Sequence, residues 1–302
     1  MVQTRKTVGF LTASCMLQGS DDERDDSYEH TLEMGLLRPA CKAVNVELVE
    51  VVWNDPRTDL EAFDAFVVGT TWDYQEQPEN YLQRLAQIEG VRPLFNPLSV
   101  IRWNLDKRYL VDLQQKGVPV VPTLWFDRAD ARAVEEGFAT FGTDRVVVKS
   151  QVGACAYRQA LVRRGDSLPE AEDLPPAGAM VQPFLPSAET EGEYSFLFFD
   201  REFSHCARKV PREGDYRVQS VFGGIEHTYQ PSSDQVGVAQ RVLDAVEGPL
   251  LYARVDLMRL PDGRLAVIEL ELIEPYLYPE QGPKMGRRFA HALGRYLSSS
   301  FQ

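Results

Sequence analysis

Short apolar runs at residues 7–12, 46–53 and 65–69 alternate with polar-patterned stretches at 27–43 and 78–88. In the second of these, Tyr81, Leu82, Leu85 and Ile88 recur at the spacing of one helix face. Strands alternating with helices predict βαβ units and a mostly parallel sheet. Asn54-Asp55-Pro56 ends the second strand. Ligands of such a sheet bind beyond the carboxyl ends of its strands, which makes residues 12–18 and the string Thr71-Trp72-Asp73-Tyr74 candidate substrate contacts. The competing reading of that string is a loop anchored by its aromatics. An acidic loop, 20–26, precedes the first helix, and Pro93 to Pro97 marks a domain boundary. The expected division is therefore 1–98 and 99–302.

Beyond it, a helix is predicted from Leu105 to Lys116, with Asn104 as N-cap and Gly117 and Pro119 as the stop. Lys107 and Arg108 fall in its first turn, the unfavourable end of the helix dipole for cations. That placement makes sense if Lys107 and the helix start face an anion such as a nucleotide phosphate; otherwise Lys107 is solvated. Val118 to Phe126 reads as a strand, 130–141 as a helix, and 145–149 as a strand of three valines closing in Lys149. Lys149 is either a phosphate ligand beside the loop 150–156 or a lysine snorkelling to water. Residues 164–179 read as a surface connection, 180–185 as a strand broken by Pro183, and 194–199 as a further strand. Arg208, Lys209, Arg212 and Arg217 form a locally basic patch that suits an anionic substrate, chance clustering being the alternative. Gly223 and Gly224 offer either a close backbone approach to a ligand or a turn. Helices are predicted at 232–246 and 284–298, with no internal repeat between any of these segments.

Residues 253–278 carry the densest chemistry. Pro261-Asp262-Gly263-Arg264 separates two β-type runs, and Asp-Gly is a favoured two-residue hairpin loop. With that loop, Asp256 lies opposite Glu269 and Arg254 opposite Glu271. Side chains alternate, so these four share one face while Val255, Leu257, Ile268 and Leu270 share the other. A one-residue bulge would shift the pairing. Facing carboxylates destabilise a sheet unless a cation compensates, and an all-oxygen set suits Mg²⁺. The bland alternative is a solvated hairpin neutralised by Arg254.

Composition narrows the function. The 302 residues allow two or three packed units, and 44% hydrophobic with 25% charged residues is ordinary for a globular protein. A net charge of −13 argues against nucleic acid and anionic membrane as partners. Cys15, Cys41, Cys155 and Cys206 are scattered, without a CxxC pair, and read as reduced, cytoplasmic thiols. No apolar run nears the ~20 residues of a membrane span. Arg5 and Lys6 before an apolar stretch containing Cys15 faintly mimic a lipoprotein signal, but Thr12 and Ser14 break it, and a first β-strand is the better reading.

The order of parts resembles the ATP-grasp superfamily: Lys107, Lys149, the Gln182-Pro183-Phe184-Leu185 hinge, Glu193, then Arg254-x-Asp256 and Glu269-x-Glu271. The segment from Val181 to Gly224 is similar to bacterial glutathione synthetases, and the hairpin to those and to D-alanine–D-alanine ligases. Thr71-Trp72-Asp73-Tyr74, Arg102-Trp103-Asn104-x-Asp106-Lys107-Arg108 and Glu269-Leu-Glu-Leu-Ile-Glu-Pro275 resemble the subgroup containing the cycloserine-forming enzyme. The resemblance implies an α/β ATP-grasp fold, with an N-terminal parallel-sheet domain, a mobile lid at about 120–182 and a C-terminal antiparallel-sheet part at 183–302. By position it implies that Lys107 and Lys149 hold ATP phosphates, that backbone near Phe184 and Leu185 reads the adenine with Gln182 also at the cofactor, and that Glu193 binds the ribose. Asp256, Glu269 and Glu271 would hold two Mg²⁺ ions, or Mn²⁺. Arg254 would stabilise an oxyanion and Arg217 would grip an acyl phosphate or carboxylate, with Lys209, Gly223 and Gly224 as further substrate contacts. The implied reaction is ATP-dependent joining of a small amino-acid-like carboxylate to an amine, or its ring closure, through an acyl phosphate with release of ADP. A kinase on the same fold and a non-catalytic nucleotide-binding regulator are the alternatives. Relatives of this kind are often dimers or tetramers, so the resemblance implies a homodimer or homotetramer. Two positions depart from the pattern: Glu271, where Asn is more usual, and the glycine-poor loop 150–156 with Cys155.

Overall fold

The protein is described from a computed structural model over residues 5–153, 157–212, 214–218 and 220–299. The chain opens with β1 (Lys6–Thr12), α1 (Ser27–Ala43), β2 (Val46–Val52), β3 (Ala65–Val68), α2 (Pro78–Val91) and β4 (Leu94–Phe95). These strands form a parallel sheet in the order β2-β1-β3-β4. The βαβ pattern therefore does what the sequence predicts. β1 is buried from Val8 to Thr12 and β3 throughout, so both read as continuous apolar runs.

Next come α3 (Leu98–Leu105) and α4 (Tyr109–Gln115). The single helix expected over 105–116 is thus two helices with a break at Asp106-Lys107-Arg108, and Asn104 is not an N-cap. Asn104 instead lies in the last turn of α3, buried. The strand expected over 118–126 shortens to β5 (Leu124–Phe126), with Val120 making a lone bridge to Val267. Then follow α5 (Ala131–Phe141), β6 (Arg145–Ser150), β7 (Ala160–Arg163) and β8 (Ala179–Pro183). They build an antiparallel sheet ordered β5-β8-β6-β7, backed by α5 through Val134, Phe138 and Val181. Pro183 closes β8, as a residue without an N–H should.

The last part holds α6 (Ser187–Thr190), β9 (Glu193–Phe199), β10 (Glu202–Val210), β11 (Ile225–Tyr229), α7 (Ser233–Asp244), β12 (Tyr252–Arg259), β13 (Leu265–Glu271) and α8 (Met285–Ser299). Its five strands form an antiparallel sheet ordered β11-β10-β9-β12-β13. α7 starts at a full capping box between Ser232 and Gln235. One apolar cluster joins this sheet to the parallel one: Leu197, Phe199 and Tyr252 pack with Phe10, Phe66 and, from α8, Phe289 and Leu293. The carboxyl ends of β1 and β3 consequently abut the face of the antiparallel sheet that carries the charged residues.

Candidate active site

The hairpin β12–β13 builds the site. Arg254 pairs with Glu271 and Asp256 with Glu269. The loop is one residue longer than Asp-Gly alone implies: it closes at Leu260 and Arg264, with Gly263 at φ 87°. A bulge between Asp256 and Leu257 then restores the register. Its one casualty is Ile268, which leaves the expected core face and lines the cleft, while Val267 takes its place beside Val255, Leu257 and Leu270.

Asp256, Glu269 and Glu271 each bring a carboxylate oxygen to within 4.8 Å of the others'. Cations surround them. Arg254 Nε donates to both oxygens of Asp256 at 3.1 Å, and its Nη2 pairs with Glu271. Lys209 Nζ lies 3.5 Å from Asp256 and pairs closely with Glu193. Lys107 Nζ lies 3.2 Å from Glu269, reached from the break between α3 and α4. Gly192, at φ 83°, brings Glu193 against Lys209; a Cβ there would sit 2.0 Å from the Lys209 carbonyl oxygen.

These charges set the titration of the face. Burial raises the Asp256 carboxyl, but Arg254 and Lys209 outweigh it and hold the group at about 2. Burial likewise opposes ionisation of Glu269, and Lys107 and Lys149 overcome it, so its pKa is lowered. At Glu271 burial wins over Arg254, with Glu269 and Asp256 adding to it, and the pKa is raised. Burial also raises Glu193 and, across the cleft on β6, lowers Lys149. Lys149 Nζ makes no ion pair with any described residue, which leaves a cation facing the cleft without a carboxylate of its own.

The cleft encloses about 1190 Å³, open mouth included, and has three zones. Its inner end is apolar: Val147, Phe184, Leu185, Met258 and Ile268, with Gln182 held by Thr123 at 3.0 Å. The Phe184 N–H is bonded to the Arg145 carbonyl at 3.0 Å. The middle is the charged face. The outer end is walled by Trp72, Tyr276 and Tyr278 and carries Glu29, Glu226 and Glu274. Burial raises Glu29 and Glu274 to about 7 each and raises Glu226. Tyr278 caps the charged face, with its ring 5.5 Å from the Arg254 guanidinium carbon. Leu277 between the two tyrosines is clamped: its N–H donates to Glu33 at 2.6 Å and its carbonyl bonds His205 Nε2 at 2.9 Å.

Several sequence candidates are placed elsewhere. Of the 71–74 string only Trp72 lines the cleft, its Nε1 donating to the Glu274 carbonyl at 2.9 Å. Thr71 is fully buried against the Tyr81 hydroxyl, and Asp73 accepts from Trp53 Nε1 at 2.7 Å, which is the anchored-loop reading. The basic patch does not converge on one ligand. Lys209 is buried under the carboxylates, whereas Arg217 lines the cleft but is held by Asp215 and stacks on Phe222, its guanidinium carbon 3.8 Å from the ring centroid. Gly223, at φ 81°, closes the turn after Phe222 and packs near Arg212; neither it nor Gly224 lines the cleft. Cys155 lies outside the described residues. Sequence reasoning missed Glu29, Glu226, Tyr276 and Tyr278 as cleft residues; they come from α1, β11 and the stretch after β13, and no local signal joins them.

Residues 8–96 match the family described as the N-terminal domain of the D-cycloserine synthetase DcsG. The cycloserine biosynthesis protein DcsG of Streptomyces lavendulae is 31% identical over 283 residues, covering 88% of this chain and 94% of that protein. A crystal structure of D-cycloserine synthetase DcsG superposes with a TM-score of 0.84 at 28% identity, over 96% of this chain and 99% of the other. The ATP-grasp ligase PsnB, solved with a precursor variant, Mg and ADP, gives 0.66 at 16% identity over 98% and 100%, a likeness of fold. The protein is thus an ATP-grasp ligase, an ATP-dependent enzyme that forms C–N bonds. Within that class the chain belongs to the family of the cycloserine synthetase DcsG. No helix among the described residues is long and apolar enough to cross a membrane.

Proposed function

We propose that the cleft activates the carboxylate of a small amino-acid-like substrate as an acyl phosphate and then joins it to an amine, in the same molecule or a second one. The observation that carries this reading is the meeting of three zones in one cleft: an apolar slot, a face of three carboxylates near Lys149, which makes no ion pair among the described residues, and an outer chamber bearing carboxylates. The slot suits the adenine, with Gln182, Phe184 and Leu185 around it and Glu193 toward the ribose. Lys107 and Lys149 suit the phosphates. Asp256, Glu269 and Glu271 offer hard oxygen donors close enough to share one or two divalent cations, Mg²⁺ or Mn²⁺. Such ions would neutralise phosphate charge during transfer of the γ group. Between ligands, Lys107, Lys209 and Arg254 pair with the three carboxylates of the central face.

The substrate carboxylate oxygen attacks the γ-phosphorus, the bond to the bridging oxygen breaks, and ADP leaves. The amine nitrogen then attacks the acyl carbon, phosphate departs with the C–O electron pair, and the nitrogen gives up its proton. Arg254, fixed by Asp256 and Glu271, stabilises the oxyanion between these steps, and Arg217 at the rim holds the acyl phosphate or carboxylate. Glu29 and Glu226, which have no cationic partner among the described residues, suit the substrate's ammonium group, and Trp72 closes the chamber. No protein nucleophile is needed; positioning and charge do the work. The test is incubation with Mg²⁺, ATP and pooled amino acids and amines, resolving ADP, AMP and new masses. ADP with a product one water lighter than its substrates supports the ligation, whereas a stable phosphorylated product or AMP would overturn it.

A further inference from the structure

β13 is an edge strand, and the outward N–H and C=O groups of an edge need partners. At Val267 those partners are main chain: its N–H donates to the Pro119 carbonyl at 2.9 Å and its carbonyl accepts from the Val121 N–H at 3.0 Å. Past the bulge they are side chains. The Leu270 N–H donates to the Tyr109 hydroxyl at 2.9 Å, and Asn104 Nδ2 donates to the Leu270 carbonyl at 2.8 Å. Asn104 Oδ1 accepts from the Leu272 N–H at 2.8 Å, and Asn96 Nδ2 donates to the Leu272 carbonyl, also at 2.8 Å. All three side chains are buried.

A group that donates to the residue before a position and accepts from the residue after it reproduces one residue of a parallel neighbouring strand. The Asn104 amide does this, and the position it frames is Glu271. Lys107, three residues on in the break that follows α3, meets Glu269. We infer that Asn104, aided by Tyr109, is a positioning residue: its amide replaces a missing strand, fixes the backbone on both sides of Glu271, and so sets the spacing of Glu269 and Glu271 toward a divalent cation. This rests on the metal role proposed above for those carboxylates. Only asparagine fits: aspartate lacks the donor for the Leu270 carbonyl, leucine has the shape without the bonds, and glutamine carries its amide one methylene too far.

The test uses Mn²⁺ as probe on the full chain with a non-hydrolysable ATP analogue, free Mn²⁺ being read by electron paramagnetic resonance. For Asn104→Leu, Mn²⁺ affinity should fall about tenfold or more, the usual effect of losing an orienting partner of a metal ligand, and Tyr109→Phe should weaken it less. Analogue affinity in EDTA should stay unchanged in both, which a general loosening of the fold would not leave intact. Mn²⁺ affinity within about twofold of the parent in folded Asn104→Leu overturns the inference, and if that variant does not fold, an unchanged Tyr109→Phe overturns it. Glu271→Gln separates the two levels. If the parent binds no Mn²⁺, or Glu271→Gln binds it equally well, the metal role itself falls and this inference with it.

Discussion

Glu269→Gln removes one charge from the centre of the site while keeping the side chain's length and one acceptor oxygen. In the parent, Lys107 lies 3.2 Å away, a gross attraction of roughly 5 kcal/mol at an effective dielectric of about 20. Most of that is returned as desolvation, and glutamine still accepts from Lys107, so the folded state should lose little. Transition-state charge is different. Loss of one electrostatic contact to it commonly costs about 2.7–4 kcal/mol, so turnover should fall on the order of a hundredfold or more. The assay is ADP release at saturating ATP across a Mg²⁺ titration, with Tm measured in parallel. A deficit that survives saturating Mg²⁺, with Tm nearly unchanged, is the expected result. Turnover within about threefold of the parent would refute the assignment of Glu269 to the reacting phosphates.

Lys149→Ala should raise KM for ATP roughly 10- to 100-fold, since a charge-assisted hydrogen bond contributes about 1.5–3 kcal/mol; an unchanged KM would remove Lys149 from the phosphate site. Glu33 is buried and raised from 4.5 to about 8, so above pH 4.5 the folded state retains a proton that the unfolded state releases. Its contribution is therefore lost as pH rises toward 8, at up to about 1.4 kcal/mol per pH unit. His205, lowered to about 4, acts only below pH 6.5. Tm should thus fall between pH 6.5 and 8, and Glu33→Gln should flatten that slope; an equal slope in the variant counts against it. Gly286→Ala should lower Tm by several degrees with KM unchanged, because the new Cβ would lie 2.4 Å from the Leu36 carbonyl of α1, where overpacking costs about 1–3 kcal/mol.

The parts of this protein that could be read from its sequence are those where local periodicity and spacing decide. The parallel strands announce themselves by apolar runs, and the Arg254, Asp256, Glu269 and Glu271 face follows from strand alternation. Even there the inner pairs came out as expected only because a bulge at Ile268 cancels an extra loop residue. What sequence could not supply was the work of residues acting across long separations. Asn104 looked like a helix cap, since Asn favours that position, but tertiary contacts with Leu270 and Leu272 decide its role. The basic run from Arg208 to Arg217 suggested one clamp, yet alternation on β10 buries Lys209 beneath the carboxylates and Asp215 claims Arg217. The outer chamber draws Glu29, Glu226 and Tyr276 from three distant segments, and no local pattern links them.

The most direct test of the chemistry follows the oxygen. The amino-acid panel, labelled with ¹⁸O in its carboxylates, is incubated with the protein, ATP and Mg²⁺, and the released phosphate is weighed by mass spectrometry. An acyl phosphate requires one ¹⁸O atom to pass from substrate to phosphate for each product formed, with ADP as the nucleotide released. Product formed with unlabelled phosphate, or with ¹⁸O appearing in AMP, would contradict the account.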